Sequence, residues 1–213
     1  MAILEKSFIG KVKGKLGDMV IYEAGGQIRV RMKPAGYTDR KSPKQLAHRA
    51  KVKGVSALYH EIDAQIVKYW KELTRGTAMN GYNLFLSRNV GNLDGEGKVV
   101  DYAKVVVCQG DLTVPSWAKA EEKTPGVLEV SWDKDAPGEY EYNDYLQMVV
   151  YCDWGKQEWG FEVDDFHGAQ RQDGRAEWRF PEGVKGEVHV YGFFKGKYSE
   201  GISESFYFGR FEL

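Results

Sequence analysis

The sequence has few of the residues from which catalytic and redox sites are usually built. Its 213 residues include only two cysteines and four histidines, and the paired spacings of a zinc site or a disulfide framework are absent. Cys108 and Cys152 lie in apolar, strand-like contexts, which predicts two buried free thiols. The chain also lacks a G-x-S-x-G nucleophile motif and a phosphate loop ending in G-K-[ST]. These absences predict a protein that is not an enzyme and that needs no cofactor.

Long apolar runs are also missing. No run of about 18 apolar residues occurs, so a membrane-spanning helix is not expected. Residues 1–15 contain no apolar segment followed by small residues, which argues against a secretory signal. Together with the two unpaired cysteines, this predicts a cytoplasmic location.

Each half of the chain is poor in charge of one sign. Residues 1–90 hold 17 Lys and Arg against 7 Asp and Glu, a net charge of +10, and residues 91–213 hold 13 against 24, a net charge of −11. A basic half can bind nucleic acid or an acidic protein, and an acidic half can meet the basic half of a neighbouring copy. Two solvated faces without any partner would give the same pattern.

A glycine pair marks the turn of a predicted hairpin. Gly25 and Gly26 lie between two β-prone runs, residues 19–22 and 27–33. In the second run apolar side chains alternate with glutamine and three cations, the period of a strand with one apolar and one cationic face. Glycine reaches the positive φ of a tight turn without steric cost, so a β-hairpin is expected here.

A capped helix is predicted to follow. Ser42 at the N-cap, Pro43 at N1 and Gln45 at N3 form a capping box, in which each polar side chain accepts from the other residue's amide. The helix has one apolar stripe at steps of four residues, which predicts a face turned to a core. The stripe consists of Leu46, Ala50, Gly54, Leu58 and Ile62.

The glycine-rich segment at residues 91–97 is the predicted domain boundary. Helical sequence precedes it, and short strands separated by turn residues follow it, with the segment at 98–108 expected to be strand-like. The fold predicted for residues 1–95 is a basic α+β domain, a hairpin followed by helices. For residues 96–213, about seven short strands predict an acidic all-β sandwich of two antiparallel sheets.

Alternating cations in the N-terminal part form the candidate contact face. If both cationic segments are strands, two cationic rows lie on one sheet face and bind phosphate backbones without sequence preference, with a strong dependence on salt. The candidate residues are Lys11, Lys13, Lys15, Arg29, Arg31, Lys33, Arg40 and Lys41.

Other polar clusters give weaker signals. Asp164, Asp165 and His167 have the donor types of a cation site, but no second motif completes the ligand shell, so a solvated acidic loop and no metal is expected. His48 and His60 are twelve residues apart, about three helical turns, and cannot share a metal on one straight helix.

Aromatic residues crowd the C-terminal half. In the strand around residues 186–195, alternation places His189, Tyr191 and Phe193 on one face. Exposed aromatic side chains on such a domain favour a protein interface or self-association over a carbohydrate site. A small-molecule substrate is not expected.

Several segments resemble known families. LEVSW (128–132), YLQMVVY (145–151) and VHVYGFFKGKYSEGISES (188–205) resemble strands of fibronectin type III or immunoglobulin-like domains, with Trp132 in the place of their core tryptophan. The whole chain resembles an uncharacterised family found mainly in Bacteroidota. The segments that carry this resemblance are GKVKGKLGDMVIY (10–22), RVRMKP (29–34), SPKQLAHRAKV (42–52), DYAKVVVCQGDL (101–112) and RQDGRAEWRFPEGVKGEVHVY (171–191).

The resemblance implies a fold and no catalytic residues. It implies a glycine-punctuated basic N-terminal part joined to an immunoglobulin-like domain, and the N-terminal motif also looks like one in phage-related proteins. The resulting hypothesis is a non-enzymatic structural or protein-interaction module, of phage or mobile-element origin, whose partner is another protein or a second copy. The alternative is a non-specific nucleic-acid-binding protein that uses the basic hairpin face.

Overall fold

In the computed structural model, helices cover one face of a four-stranded antiparallel sheet and a three-stranded sheet covers the other. The structure describes residues 2–4, 13–36, 39–135, 138, 141–153, 159–164, 169–182 and 184–213. The helices in this part of the chain are Pro43–His60 (α1), Ala64–Leu73 (α2) and Gly81–Asn89 (α3). The strands are Ala2–Leu4 (β1), Gly14–Leu16 (β2), Met19–Ala24 (β3), Gln27–Met32 (β4), Ala118–Thr124 (β5), Val127–Trp132 (β6), Tyr145–Asp153 (β7), Trp159–Asp164 (β8), Arg175–Arg179 (β9), Glu187–Lys195 (β10) and Phe206–Glu212 (β11). The fold is therefore α+β.

The N-terminal strands form a small sheet of their own, in the order β1-β4-β3-β2. The predicted hairpin is confirmed: β3 and β4 pair from Ala24 opposite Gln27, and the turn glycines Gly25 and Gly26 have φ of 62° and 74°. Both values lie in the left-handed region, where a side chain is strained. None of residues 13–36 is buried, so this sheet has no core of its own among the described residues.

The predicted start of α1 is confirmed. The Ser42 hydroxyl accepts from the Gln45 amide at 3.4 Å, and the Gln45 side chain accepts from the Ser42 amide at 3.1 Å. The predicted apolar stripe is wrong at its first residue, because Leu46 is 48% exposed, whereas Leu58 and Ile62 are buried as expected. The first turn of α1 is therefore exposed at Leu46, whereas its later turns pack into the buried cluster through Val55 and Leu58.

The sheet with the order β11-β10-β7-β8 has two central strands, β10 and β7, whose described side chains are largely buried on both faces. Val190 of β10 and Val150 of β7 are opposite each other and pack against the three-stranded sheet β5-β6-β9. Tyr191 and Phe193 point the other way, into a cluster with the helices. The two faces of β10 thus join the helical layer and the three-stranded sheet into one molecule.

The predicted strand at residues 98–108 is wrong. This segment forms a short 3₁₀ turn, Tyr102–Lys104, and then runs extended without a partner strand. Its backbone is bound by side chains instead: the Trp70 indole donates to the Val107 carbonyl at 2.8 Å, and the Val107 amide donates to the Ser205 hydroxyl at 3.0 Å. Buried backbone groups that are satisfied by side chains have no need of a neighbouring strand.

The predicted boundary near residue 95 separates two parts of the chain that pack against each other. Val55 and Ile66 of the helices share one buried cluster with Val107, Val149 and Tyr191. The division into residues 1–95 and 96–213 therefore stays a prediction, with its two parts in contact. The two cysteines are free and buried, which confirms the predicted thiols. In the described part of the chain, none of the helices has both the length and the apolar character needed to cross a membrane.

Candidate interaction surface

The register of the N-terminal sheet brings three of the candidate cations to one face. Lys15 lies opposite Val20, and Val20 lies opposite Arg31. Residues that are directly opposite in antiparallel strands project to the same face, and so do residues two apart in one strand, which adds Arg29. Lys15 and Arg31 are exposed, while Arg29 is half-buried. We call Lys15, Arg29 and Arg31 the cationic face.

The remaining candidate cations are distributed around this face. Lys13 is paired with Glu23 at 2.6 Å, which reduces its availability to a partner. Lys33 is exposed beyond the end of β4, and Arg40 and Lys41 are exposed in the loop before α1. Lys11 lies outside the described residues.

The other face of the same sheet carries an exposed apolar row. Leu16 lies opposite Met19, and Met19 lies opposite Met32, so their side chains project to one face. They are 62%, 38% and 67% exposed, respectively. A contiguous apolar patch of this kind marks a site of protein interaction more often than it occurs without a function. We call Leu16, Met19 and Met32 the apolar row.

Sequence reasoning missed the apolar row. Gly17 and Asp18 separate Leu16 from Met19 by two turn residues, the signal of a tight hairpin that would have paired them. Met32, by contrast, lies thirteen positions after Met19 and reaches it only through the second hairpin. Their exposure is a property of the assembled sheet.

Helix α1 adds a second positively charged surface. A cavity of about 520 Å³ runs along it, with His48, Val52, Ser56 and His60 one turn apart and Tyr82 of α3 as the facing wall. Residues 43–60 contain no Asp or Glu, although Arg49, which also lines the cavity, is paired with Asp39 of the preceding loop at 2.6 Å. Both histidines are exposed there, at the spacing that excludes a shared metal.

A buried polar cluster surrounds His189 on the helical face of β10. Its ring is stacked on Tyr102, with centroids 3.8 Å apart. Its two nitrogens contact the Tyr207 hydroxyl at 2.9 Å and the Glu187 carboxylate at 3.1 Å, and Arg210 also contacts Glu187, at 3.4 Å. The predicted placement of His189, Tyr191 and Phe193 on one face is confirmed by the register with β7. Both ring nitrogens of His189 have partners, which indicates a role in packing. Tyr102 and Tyr151, whose rings lie against His189, also line a cavity of about 370 Å³ beside α1.

This cluster predicts a pH-dependent stability. Burial lowers the pKa of His189, with the Glu187 carboxylate opposing and Arg210 adding to that shift. The unfolded chain takes up a proton at about pH 6.5, while the folded chain resists protonation at this site. Unfolding therefore binds a proton, and stability decreases as the pH falls below about 6.5, by at most about 1.4 kcal/mol per pH unit. We expect His189→Gln to flatten the decline in unfolding free energy between pH 7 and pH 5, measured by urea titration.

The control for this prediction is His48→Gln, on the exposed surface of α1. It should leave the decline of the wild type unchanged. Burial raises the pKa values of Glu61 and Asp144, which stabilises the folded state as the pH falls. This opposite contribution is common to all three proteins and cancels in the comparison. A decline that is equally steep in His189→Gln would contradict the assignment.

No group of three or more acidic, histidine or cysteine side chains in the described part of the chain is arranged to hold a metal ion. Of the predicted acidic cluster, Asp165 and His167 lie outside the described residues, so that interpretation stays a prediction. Asp144 and Glu141 do approach each other, but beside the Arg171 guanidinium, 3.9 Å from Glu141. The Arg171 guanidinium therefore supplies the positive charge beside these two carboxylates.

Among curated proteins, none matches the chain. A scan against protein-family models matches residues 10–209 to a family of unknown function, DUF6266. This match spans almost the whole chain and confirms the predicted membership of an uncharacterised family. The protein belongs to the DUF6266 family.

Proposed function

We propose that this protein is a non-enzymatic interaction module that associates with a second copy of itself through the N-terminal sheet, β1–β4. The observation that carries the proposal is the apolar row of Leu16, Met19 and Met32, exposed in adjacent register positions. Apolar surface in contact with water costs roughly 25 cal/mol per Å². A partner that covers the row removes this cost and gives the sheet the core that its own residues do not supply.

The charge distribution favours a second copy as the partner. The half of the chain that contains the sheet has a net charge of +10, and the other half has −11. Each copy therefore has both members of a complementary pair. Complementary charge steers association and disfavours partners with the wrong sign.

The strand order supports a finer proposal for the C-terminal half, that it is an immunoglobulin-like domain of the fibronectin III kind. Its seven strands form sheets in the orders β5-β6-β9 and β11-β10-β7-β8. The fourth strand, β8, pairs with the third, β7, at the edge of the larger sheet. Trp132 is buried between the sheets, where this architecture places its core tryptophan. Such domains are used widely as interaction modules.

Light scattering after size-exclusion chromatography tests the proposed function. We expect wild-type protein to elute with at least twice the chain mass of 24.2 kDa. Replacing Leu16, Met19 and Met32 together by serine should raise the dissociation constant by on the order of a hundredfold, since each apolar side chain contributes about 1 kcal/mol or more when it is covered. The matched control is Val100→Ser, which removes a side chain of similar exposure, 68%, outside the row. A wild type that stays monomeric would overturn the proposal.

Nucleic-acid binding is the second candidate, favoured by the cationic face and by α1, which has no carboxylates. It predicts a complex with a mixed-sequence DNA duplex that dissociates as salt rises, because counterions are released on binding. Replacing Lys15, Arg29 and Arg31 by glutamine should then weaken duplex binding and reduce its dependence on salt. Elution that is unchanged by the duplex at low salt would exclude this candidate.

A further inference from the structure

The C-terminal half has an acidic end built from four chain segments. The Leu112 amide donates to the Ile202 carbonyl, the Thr113 amide donates to the Glu141 carboxylate, and the Trp132 amide donates to the Gly174 carbonyl. These bonds hold the loop before β5, the β6–β7 connection, the 3₁₀ turn at Arg171–Asp173 and the β10–β11 connection side by side. The acidic end carries the exposed or half-buried carboxylates of Asp111, Asp133, Asp135, Glu141, Asp173 and Glu200.

Cations at this end are fewer than carboxylates. Lys134 and Lys197 are exposed, and Lys195 is half-buried at the end of β10. Arg171 is fully buried and faces the buried carboxylate of Asp144, so neither contributes to the surface. Arg175, at the start of β9, is also exposed, so six carboxylates stand against four cations and the described surface of this end is negative.

Exposed apolar and aromatic side chains interleave with these carboxylates. Val114, Trp117, Tyr142 and Tyr198 are 42%, 48%, 37% and 66% exposed. Trp117 is held beside Asp133, whose amide donates to the Trp117 carbonyl at 3.0 Å and whose carboxylate accepts from Ser116. Aromatic residues are enriched in protein interfaces, where their large surface is covered at small entropic cost.

The acidic end also contains a cavity of about 320 Å³. Leu112, Glu141, Tyr198 and the buried Asp144 line it. The Tyr198 ring already has the Lys197 ammonium 5.5 Å from its centre, so the half-buried Glu141 carboxylate is the group that would accept a charge-assisted hydrogen bond from a lysine or arginine side chain of a partner. The cationic face and Lys33 of the N-terminal sheet supply such side chains.

We propose that the acidic end is the surface to which the N-terminal sheet of a second copy binds, so that copies join head to tail. This inference rests on the proposed self-association and names its acceptor. The acidic end and the cationic face of the N-terminal sheet carry charges of opposite sign, and this complementarity is the observation that carries the inference. A contact between two different surfaces leaves one of each unused at the ends, so it extends into a chain of copies or closes into a ring.

Paired charge reversals test the inference on the full-length protein. The acceptor variant carries Asp111→Lys, Asp135→Lys and Glu200→Lys, and the donor variant carries Lys15→Glu, Arg31→Glu and Lys33→Glu; all six residues are exposed. Each variant alone should self-associate at least tenfold more weakly than the wild type, because like charges then face each other. An equimolar mixture should regain association, since both of its contacts are again between opposite charges. Light scattering measures the mass in each case.

The matched control carries Glu96→Lys, Glu121→Lys and Glu177→Lys. It makes the same change in net charge at exposed residues outside the acidic end, and it should associate like the wild type. Circular dichroism confirms that all variants are folded. If the acceptor variant associates as tightly as the wild type, the head-to-tail contact is wrong and the copies meet through their N-terminal sheets alone. If the wild type itself is monomeric, the proposed function fails before its acceptor is in question.

Discussion

Replacing Arg171 by alanine is expected to lower the free energy of unfolding by about 3–5 kcal/mol, the range for breaking a buried ion pair. Arg171 has no exposed surface, and its guanidinium lies 3.9 Å from the centre of the Phe194 ring. It donates to the Thr113 carbonyl at 2.6 Å, and its own carbonyl accepts from the Trp132 indole at 2.9 Å. The residue thus ties together the loop before β5, strand β6 and strand β10.

The expected loss of unfolding free energy comes from the groups that remain after Arg171 is removed. Asp144 is 4% exposed, and Arg171 is the nearby cation that opposes its burial. Without the guanidinium, the buried Asp144 carboxylate keeps only the hydrogen bond from the Lys197 amide, at 3.4 Å, and a cavity opens beside Phe194. The double variant Arg171→Met/Asp144→Asn should recover part of the lost stability, since it removes both charges and fills the volume.

Urea titration followed by circular dichroism measures these effects. Arg179→Ala, on the exposed side of β9, is the control and should change the unfolding free energy by no more than about 0.5 kcal/mol. A loss of less than 1 kcal/mol for Arg171→Ala would contradict the assignment of Arg171 as the centre of this end of the molecule. Arg171 also begins the segment 171–191 by which the chain resembles its family, so the substitution tests what that motif does.

Trp70→Ala is expected to have the second large effect, about 3–5 kcal/mol. Trp70 is 1% exposed and packs edge to face against Phe85 of α3. Its indole donates to the Val107 carbonyl, which joins α2 to the segment that precedes the β domain. The substitution leaves a cavity and a buried carbonyl without its donor.

This substitution also tests the predicted division at residue 95. Because the helices share a buried cluster with β7 and β10, we expect one unfolding transition, shifted as a whole, in both the helical circular dichroism signal and the tryptophan fluorescence. Two separate transitions, of which only the helical one moves, would instead support two independent domains. Trp117→Ala, which removes a tryptophan that is 48% exposed, is the matched control for loss of the indole.

The parts of the fold that the sequence predicted are those that depend on neighbouring residues. The Gly25–Gly26 turn and the Ser42 capping box formed where expected, because a positive φ and an N-cap hydrogen bond involve only a few consecutive residues. The alternation in β10 likewise placed His189 and Tyr191 on one face, since the period of a strand is fixed by its backbone. Predictions failed where a partner from elsewhere decided the outcome, as in residues 98–108, whose backbone is bound by Trp70 and Ser205.

The sequence by itself determined the β3–β4 hairpin with its Gly25–Gly26 turn, the capped start of α1, the change from helices to strands along the chain and the opposite charges of the two halves. Only the tertiary structure decided which side chains these elements expose. Arg171 is fully buried, whereas Leu16, Met19 and Met32 are exposed at the surface. Burial depends on which elements pack together, and that choice rests on contacts between residues distant in the chain. The apolar row, the acidic end and their complementarity are therefore properties of the folded molecule, although every charge in them can be read from the sequence.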